Sequence, residues 1–255
     1  MLFIGIDLAW SVKNNSGIAA IKGDERGGSL VYADVALSDE QILEFVSKYA
    51  TNGALVAVDA PLIVPNQSGR RVAERIVGDL FRRYDAGAHP SNRIRLGAWS
   101  NGKIRGEELV SGLKGLGFSH NPVVKRFEMS RKVFEVYPHP SMVVLFNLNK
   151  ILRYKAKPKR SLEFRIKEFD RYKSLLKGLK NPVLKIKDKR INADLGKMTI
   201  TELKGYEDML DAVFCAYIAY YYWVNPDRCA VLGNMKDGYI MTPIFDHMKG
   251  NQSIL

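Results

Sequence analysis

The chain has 255 residues, 46% of them hydrophobic, and a formal net charge of +12 at pH 7. That length suffices for one large domain or two small ones with a proper core, and the composition is that of an ordinary soluble globular protein. No apolar run approaches the roughly 20 residues of a membrane span, the N-terminus lacks a signal-peptide layout, and Cys215 and Cys229 alone allow neither a disulfide framework nor a cysteine zinc site, so the sequence reads as cytoplasmic.

The first 60 residues read β-β-β-α-β. "LFIGIDLA" is a strand, "SGIAAIK" a second, and "GGSLVYADVAL" a third after the turn "KGDERGG". Links this short suit an antiparallel meander. Ser38 reads as the N-cap of a helix over "DEQILEFVSKYA", with Glu40 and Gln41 in reach of a capping box. "ALVAVDAPL" then reads as a strand buried on both faces and ending at Asp59. The helix between strands 3 and 4 permits a crossover that lays strand 4 parallel to strand 1.

From about 61 to 130 the pattern is less regular, with a helix predicted from about Gly69 to Tyr84 and a short one near Glu107–Leu116. This is too long for a plain loop and reads as a structured insertion over one edge of the sheet. "KVFEVYPHP" resumes as a strand, over Val133–Tyr137, stopped by Pro138 and Pro140, and a helix is expected from about Ser141. "ITELKGYEDMLDAVFCAYIAYYYWV" is the most hydrophobic helix, and "CAVLGNMKDGYIMTP" a hairpin turned at Lys236-Asp237-Gly238. No internal repeat or low-complexity tract appears, so one elaborated α/β domain over residues 1–255 is the economical reading.

The charge is uneven. Residues 150–190 hold sixteen Lys and Arg against Glu163, Glu168, Asp170 and Asp188, whereas the remainder is neutral. Such a localised excess suits phosphate backbones. It also suits an amphipathic helix, because Leu162, Ile166, Phe169, Leu176 and Leu179 keep helical spacing and leave the bases on a wet face. The two readings are compatible.

The acids fall at strand ends. Asp7 ends strand 1, Asp59 ends strand 4, and Glu135 lies late in the next strand. Parallel strands would gather all three at the carboxyl edge, where open α/β sheets place ligands. Asp208 and Asp211, three apart on a helix, share one face. Singly, each acid has a structural account: Asp208 favours the helix dipole, Asp59 caps a turn, and Glu135 pairs with Arg131 or Lys132. Jointly they form a cluster without His or Cys that repels itself at neutral pH. A hard divalent cation relieves that repulsion, and oxygen-only ligands favour Mg²⁺ or Mn²⁺ over zinc.

"FIGIDLAW", "VAVDAPL", "VFEVYPHP", "EDMLDAVFCAY" and "VLGNMKDGYIMTP" together resemble the family called domain of unknown function 429, a group of predicted nucleases with an RNase H-like fold. The resemblance runs from Phe3 to Pro243 and is weakest over about Ser91–Val124 and the basic segment. It implies a mixed sheet of three antiparallel strands followed by parallel ones, in the order 3-2-1-4-5, with flanking helices. It also implies that Asp7, Asp59 and Asp211 are metal ligands, with Asp208 and Glu135 as additional or supporting acids. The acidic helix is similar to the last acidic motif of Holliday-junction resolvases. Where those enzymes have a Gly-containing turn after the first acidic strand, this chain has Leu8-Ala9-Trp10.

The chemistry expected of such a site is two-metal hydrolysis of nucleic-acid phosphodiesters. Asp7 on the central strand takes the bridging role, Asp59 holds one ion, and Asp211, with Asp208, holds the other. No His base is needed; of the four histidines only His139 lies in reach, and "YPHP" reads better as a strand-ending turn. Arg70 or Arg71 in "SGRRVAER" and Lys155 in the basic segment are candidate DNA or RNA contacts, and Trp10 and Trp99 candidate stacking surfaces. Two alternatives stand beside the nuclease. An ATP-dependent phosphotransferase of the actin-like or sugar-kinase type would want a phosphate turn directly after Asp7, whereas "DLAWSVKNNSG" delays its glycine to Gly17. A non-catalytic nucleic-acid-binding module would be indifferent to replacing Asp7.

Overall fold

Alternating apolar residues in Leu2–Asp7 (β1) place Phe3 on one face of a sheet and Ile4 and Ile6 on the other, all fully buried. This computed structural model, which describes residues 1–50 and 53–250, builds the sheet outward from that strand. Ser16–Gly23 (β2) and Gly28–Ala36 (β3) continue from β1 as an antiparallel meander. Asp39–Tyr49 (α1) starts at Ser38, whose side chain accepts from the Gln41 amide, and crosses over to Ala54–Asp59 (β4), which lies parallel to β1.

The segment after β4 supplies Val72–Phe81 (α2), Arg93–Gly97 (α3), Arg105–Gly115 (α4) and a two-residue edge strand, Ser119–His120 (β5). Arg131–Glu135 (β6) then pairs parallel with β4, and Pro138–Leu145 (α5) follows it. Leu162–Lys177 (α6) occupies the basic segment, Leu184–Lys185 (β7) adds to β3, Ile200–Val224 (α7) is the long apolar helix, and Cys229–Asn234 (β8) with Gly238–Pro243 (β9) forms the hairpin. The seven-stranded order is β5-β6-β4-β1-β2-β3-β7. Its five central strands have the RNase H-like order 3-2-1-4-5 expected from the sequence, and β5 and β7 extend it at the edges.

Two boundaries differ from expectation. The strand near Glu135 ends there, and "YPHP" begins α5 instead of closing the strand, because proline at the first helical turn loses no hydrogen bond. The helix expected from Gly69 to Tyr84 spans Val72–Phe81 and ends in a 3₁₀ turn over Arg82–Tyr84.

The core lies on both faces of the sheet. Ile4, Ile6, Val56 and Val58 meet α1 and α4, whereas Phe3, Leu55, Ala57 and Phe134 meet α7. A capping box between Thr199 and Glu202 starts α7, and from Tyr206 to Val224 every residue is buried. Two glycines set how closely it approaches the sheet. A Cβ on Gly5 would stand 2.0 Å from the Ala212 carbonyl oxygen, and one on Gly17 would stand 1.8 Å from that of Asp208. The helix backbone therefore rests directly on β1 and β2, which carries its acids to the end of the central strand. Among the described residues no helix is long and apolar enough to cross a membrane.

Candidate functional site

Asp7 and Asp59 are register partners on parallel strands, so their side chains share a face. Alternation from Gly5 and Ala57 makes it the face that α7 covers, and there Asp208 and Asp211 join them. The sheet edge opens as a cleft of about 870 Å³ with Asp7, Asp59, Asp208 and Lys155 in its lining.

Asp211 is 0% exposed and anchors the floor. Its Oδ1 accepts from the Tyr154 hydroxyl at 2.7 Å and the Tyr172 hydroxyl at 3.3 Å. Its Oδ2 lies 2.9 Å from Lys155 Nζ, yet no donor among the described residues is aligned with it. Asp208 Oδ1 accepts from Lys204 Nζ at 2.6 Å. Burial pushes the Asp7 carboxyl well above the ordinary carboxylate range; Lys155 opposes the rise, and Asp211, Asp59 and Asp208 add to it. Burial likewise pushes Asp59 up to about 7 against the pull of Lys155, and Asp208 up to about 6 against that of Lys204. Burial works against the Lys155 ammonium, but Asp211, Asp7 and Asp59 outweigh it and hold the group charged.

Lys155 is thus brought to the acids as one of the few cations of the basic segment that line the cleft, with Lys157 and Arg160 beside it. Its backbone is clamped: Arg165 Nε donates to the Tyr154 carbonyl at 2.8 Å, and Arg160 Nη1 donates to the Lys155 carbonyl at 3.0 Å. Other bases of the segment are occupied on the surface, where Lys167 meets Glu163, Lys173 meets Asp170, and Arg190 meets Asp188 and Asp34.

Glu135 and Arg71 do not line this cleft, although Glu135 lies near enough to Asp59 to help raise its pKa. Phe134 faces the α7 side, so the next residue, Glu135, takes the opposite face. Its carboxylate receives Arg71 Nη2 at 2.6 Å, Arg71 Nη1 at 2.9 Å and the Leu62 amide at 2.9 Å. Arg71, only 3% exposed, also donates from Nε to Glu74 at 2.8 Å. The expectation of Arg71 as a phosphate contact is corrected: its guanidinium is spent on a buried network that ties the insertion to the sheet. Glu135 pairs with Arg71, not with Arg131 or Lys132. Arg70 is exposed and lies outside the cleft lining.

His139, set by the first turn of α5, lines the cleft, and burial holds its imidazole down to about 3, so it is neutral at physiological pH. Trp99 stands 58% exposed on the rim, and Trp10 lies under the Arg95 guanidinium. Sequence reasoning missed Arg105. This buried residue of α4 donates to the carbonyls of Ala9 and Ser11 at 2.7 and 3.1 Å, and so pins the loop that follows Asp7. It also missed Tyr172 and Lys204, which show no motif until α6 and α7 are packed.

The oxygen-only donor set and the undirected Asp211 Oδ2 fit a hard divalent cation. Among the described residues no three His, Cys, Asp or Glu side chains are drawn together tightly enough to ligate one ion, and Lys155 and Lys204 bring positive charge to the floor. A family model described as "Protein of unknown function (DUF429)" matches residues 5–237. No curated protein matches the chain.

Proposed function

The chain belongs to the DUF429 family, whose description assigns no activity, and we propose that it is a divalent-metal-dependent nuclease that hydrolyses phosphodiester bonds of DNA or RNA. The observation that carries this reading is the convergence of Asp7, Asp59, Asp208 and Asp211, from two strand ends and one helix, at the base of a cleft with basic side chains in its lining. Clustered acids whose pKa values are raised together must each keep a proton or take a cation near neutral pH, and a divalent ion supplies the second course.

Asp7 and Asp59 would hold Mg²⁺ or Mn²⁺, with Asp211 and Asp208 completing the set. Such an ion supplies a water of lowered pKa and a counter-charge for the oxygens of a reacting phosphate. The chain's own groups do the rest. Lys13, Lys157 and Arg160 line the approach and suit the phosphates of a strand, and the open face of Trp99 suits an unpaired base. Tyr154 and Tyr172 orient Asp211 by hydrogen bonding to one oxygen, which leaves the other facing Lys155 at 2.9 Å. Water adds at phosphorus and one P–O ester bond breaks, leaving a phosphate monoester and a free hydroxyl. We place this activity in the cytoplasm, in keeping with the two unpaired cysteines.

No observation favours the phosphotransferase. Leu8 is buried directly after Asp7, where a phosphate-cradling glycine turn would be needed. The test is cleavage of labelled single- and double-stranded DNA and RNA with Mn²⁺ or Mg²⁺, by wild type and by Asp7→Asn. Cleavage by wild type that is lost in the variant is the expected result. Binding of the oligonucleotides by both proteins with cleavage by neither would indicate a binding module, and equal cleavage by both would refute the site.

A further inference from the structure

Lys155 brings a fixed positive charge to the acids of the cleft floor. Its ammonium is 2.9 Å from Asp211 Oδ2, its side chain is 28% exposed, and its backbone is fixed through Arg160 and Arg165. Arg165 is itself held 3.7 Å from Glu207, so the clamp is tied back to α7. With Tyr154 and Tyr172 on Oδ1 and the Lys155 ammonium 2.9 Å from Oδ2, Asp211 already faces one cation, whereas the oxygens of Asp7 accept no hydrogen bond among the described residues.

Charge leads to the same place. Asp208 and Glu207 share Lys204, and Arg165 stands beside Glu207, so those two acids are offset by two bases. Asp7, Asp59 and Asp211 carry three negative charges when ionised; Lys155 offsets one, and a single divalent ion offsets the other two. A second divalent ion would leave the floor with an excess positive charge beside a fixed ammonium, a repulsion that falls slowly with distance in a low-dielectric site. We infer that Lys155 takes the place of one of the two cations expected of this fold, so that the site binds a single Mg²⁺ or Mn²⁺ per chain, held mainly by Asp7 and Asp59. The inference rests on the proposed metal-dependent reading and narrows it.

The experiment is Mn²⁺ titration of the metal-free full chain by calorimetry, with electron paramagnetic resonance of the loaded protein, on wild type, Lys155→Met and Asp7→Asn. Wild type should bind one ion with the spectrum of an isolated Mn²⁺. Lys155→Met should bind a second ion, or the first at least about tenfold more tightly, since a positive charge has been removed from beside it. A spin-coupled Mn²⁺ pair in wild type overturns the inference while leaving the nuclease reading intact, and this measurement stands even if the lysine variant does not fold. A folded lysine variant that binds one ion with unchanged affinity, or none, overturns it too. Absence of any Mn²⁺ binding by wild type, or equal binding by Asp7→Asn, removes the metal-dependent reading with it.

Discussion

Without metal, the acidic floor should weaken the fold as pH rises, and Asp59→Asn should relieve that. In the folded chain Asp59 keeps its proton up to about pH 7, whereas an ordinary aspartate releases it near 3.8. Between those values the folded state binds more protons than the unfolded state, so stability is lost as pH rises and the cost is full above pH 7. A gap of about three units at about 1.36 kcal/mol each sets an upper limit of about 4 kcal/mol, and sharing of protons within the cluster lowers it to about 2–3 kcal/mol. For a chain of this size that is roughly 5–10 °C in melting temperature. The assay is thermal unfolding in EDTA at pH 5 and pH 8, with and without millimolar Mn²⁺. Wild type should melt lower at pH 8 than at pH 5 and recover with Mn²⁺; Asp59→Asn should melt higher than wild type at pH 8, keep only the part of the pH slope that Asp7 and Asp208 carry, and respond less to the ion. An Asp59→Asn protein less stable than wild type at pH 8 in EDTA would mean that the carboxylate is already compensated in the fold, and would sink the argument for a cation-seeking site.

Gly5→Val should unfold the protein or cost more than about 3 kcal/mol in urea denaturation, because its Cβ meets the α7 backbone, which cannot yield without lifting the helix off β1. Arg71→Met should cost about 3–5 kcal/mol by the same measurement, since it strands the Glu74 and Glu135 carboxylates without their partner. A phosphate-binding arginine would instead lose oligonucleotide affinity at constant stability. Trp99→Ala should leave the melting temperature unchanged and weaken single-stranded oligonucleotide binding, followed by fluorescence anisotropy, by about 1–3 kcal/mol. Unchanged affinity would remove the stacking surface from the reading. Tyr154→Phe, which deletes the 2.7 Å hydrogen bond to Asp211, should weaken Mn²⁺ binding severalfold, by about 1 kcal/mol, as calorimetry would show.

The parts of this site that can be read from sequence are those governed by rules of local range. Asp7 and Asp59 each close an apolar strand, and a crossover helix makes those strands parallel, so their meeting follows once the two ends are aligned. Asp208 and Asp211 meet the same site because helical spacing keeps them on one face and Gly5 and Gly17 let that helix settle on the sheet. Glu135 obeys the same strand logic and still ends elsewhere. Its face depends on whether β6 aligns with β4 at an even or odd offset, and a one-residue change of register exchanges the two faces. No residue in the strand signals that offset.

Long-range pairing hid the rest. "SGRRVAER" reads as the wet start of a helix, whereas Arg71 is buried on partners that include Glu135 from a distant strand. Lys155 is legible among the sixteen bases of its segment as a candidate nucleic-acid contact, but nothing local places it beside the acids. What distinguishes it is the cleft side of a short irregular run held by Arg160 and Arg165, beside the one carboxylate of the cluster that has no exposure. A lysine so placed meets the electrostatic need that suggested metal from the acids alone, and meets it by only one charge. Counting acids therefore predicts that cations belong at this floor, whereas their number depends on which bases the tertiary fold has already delivered there.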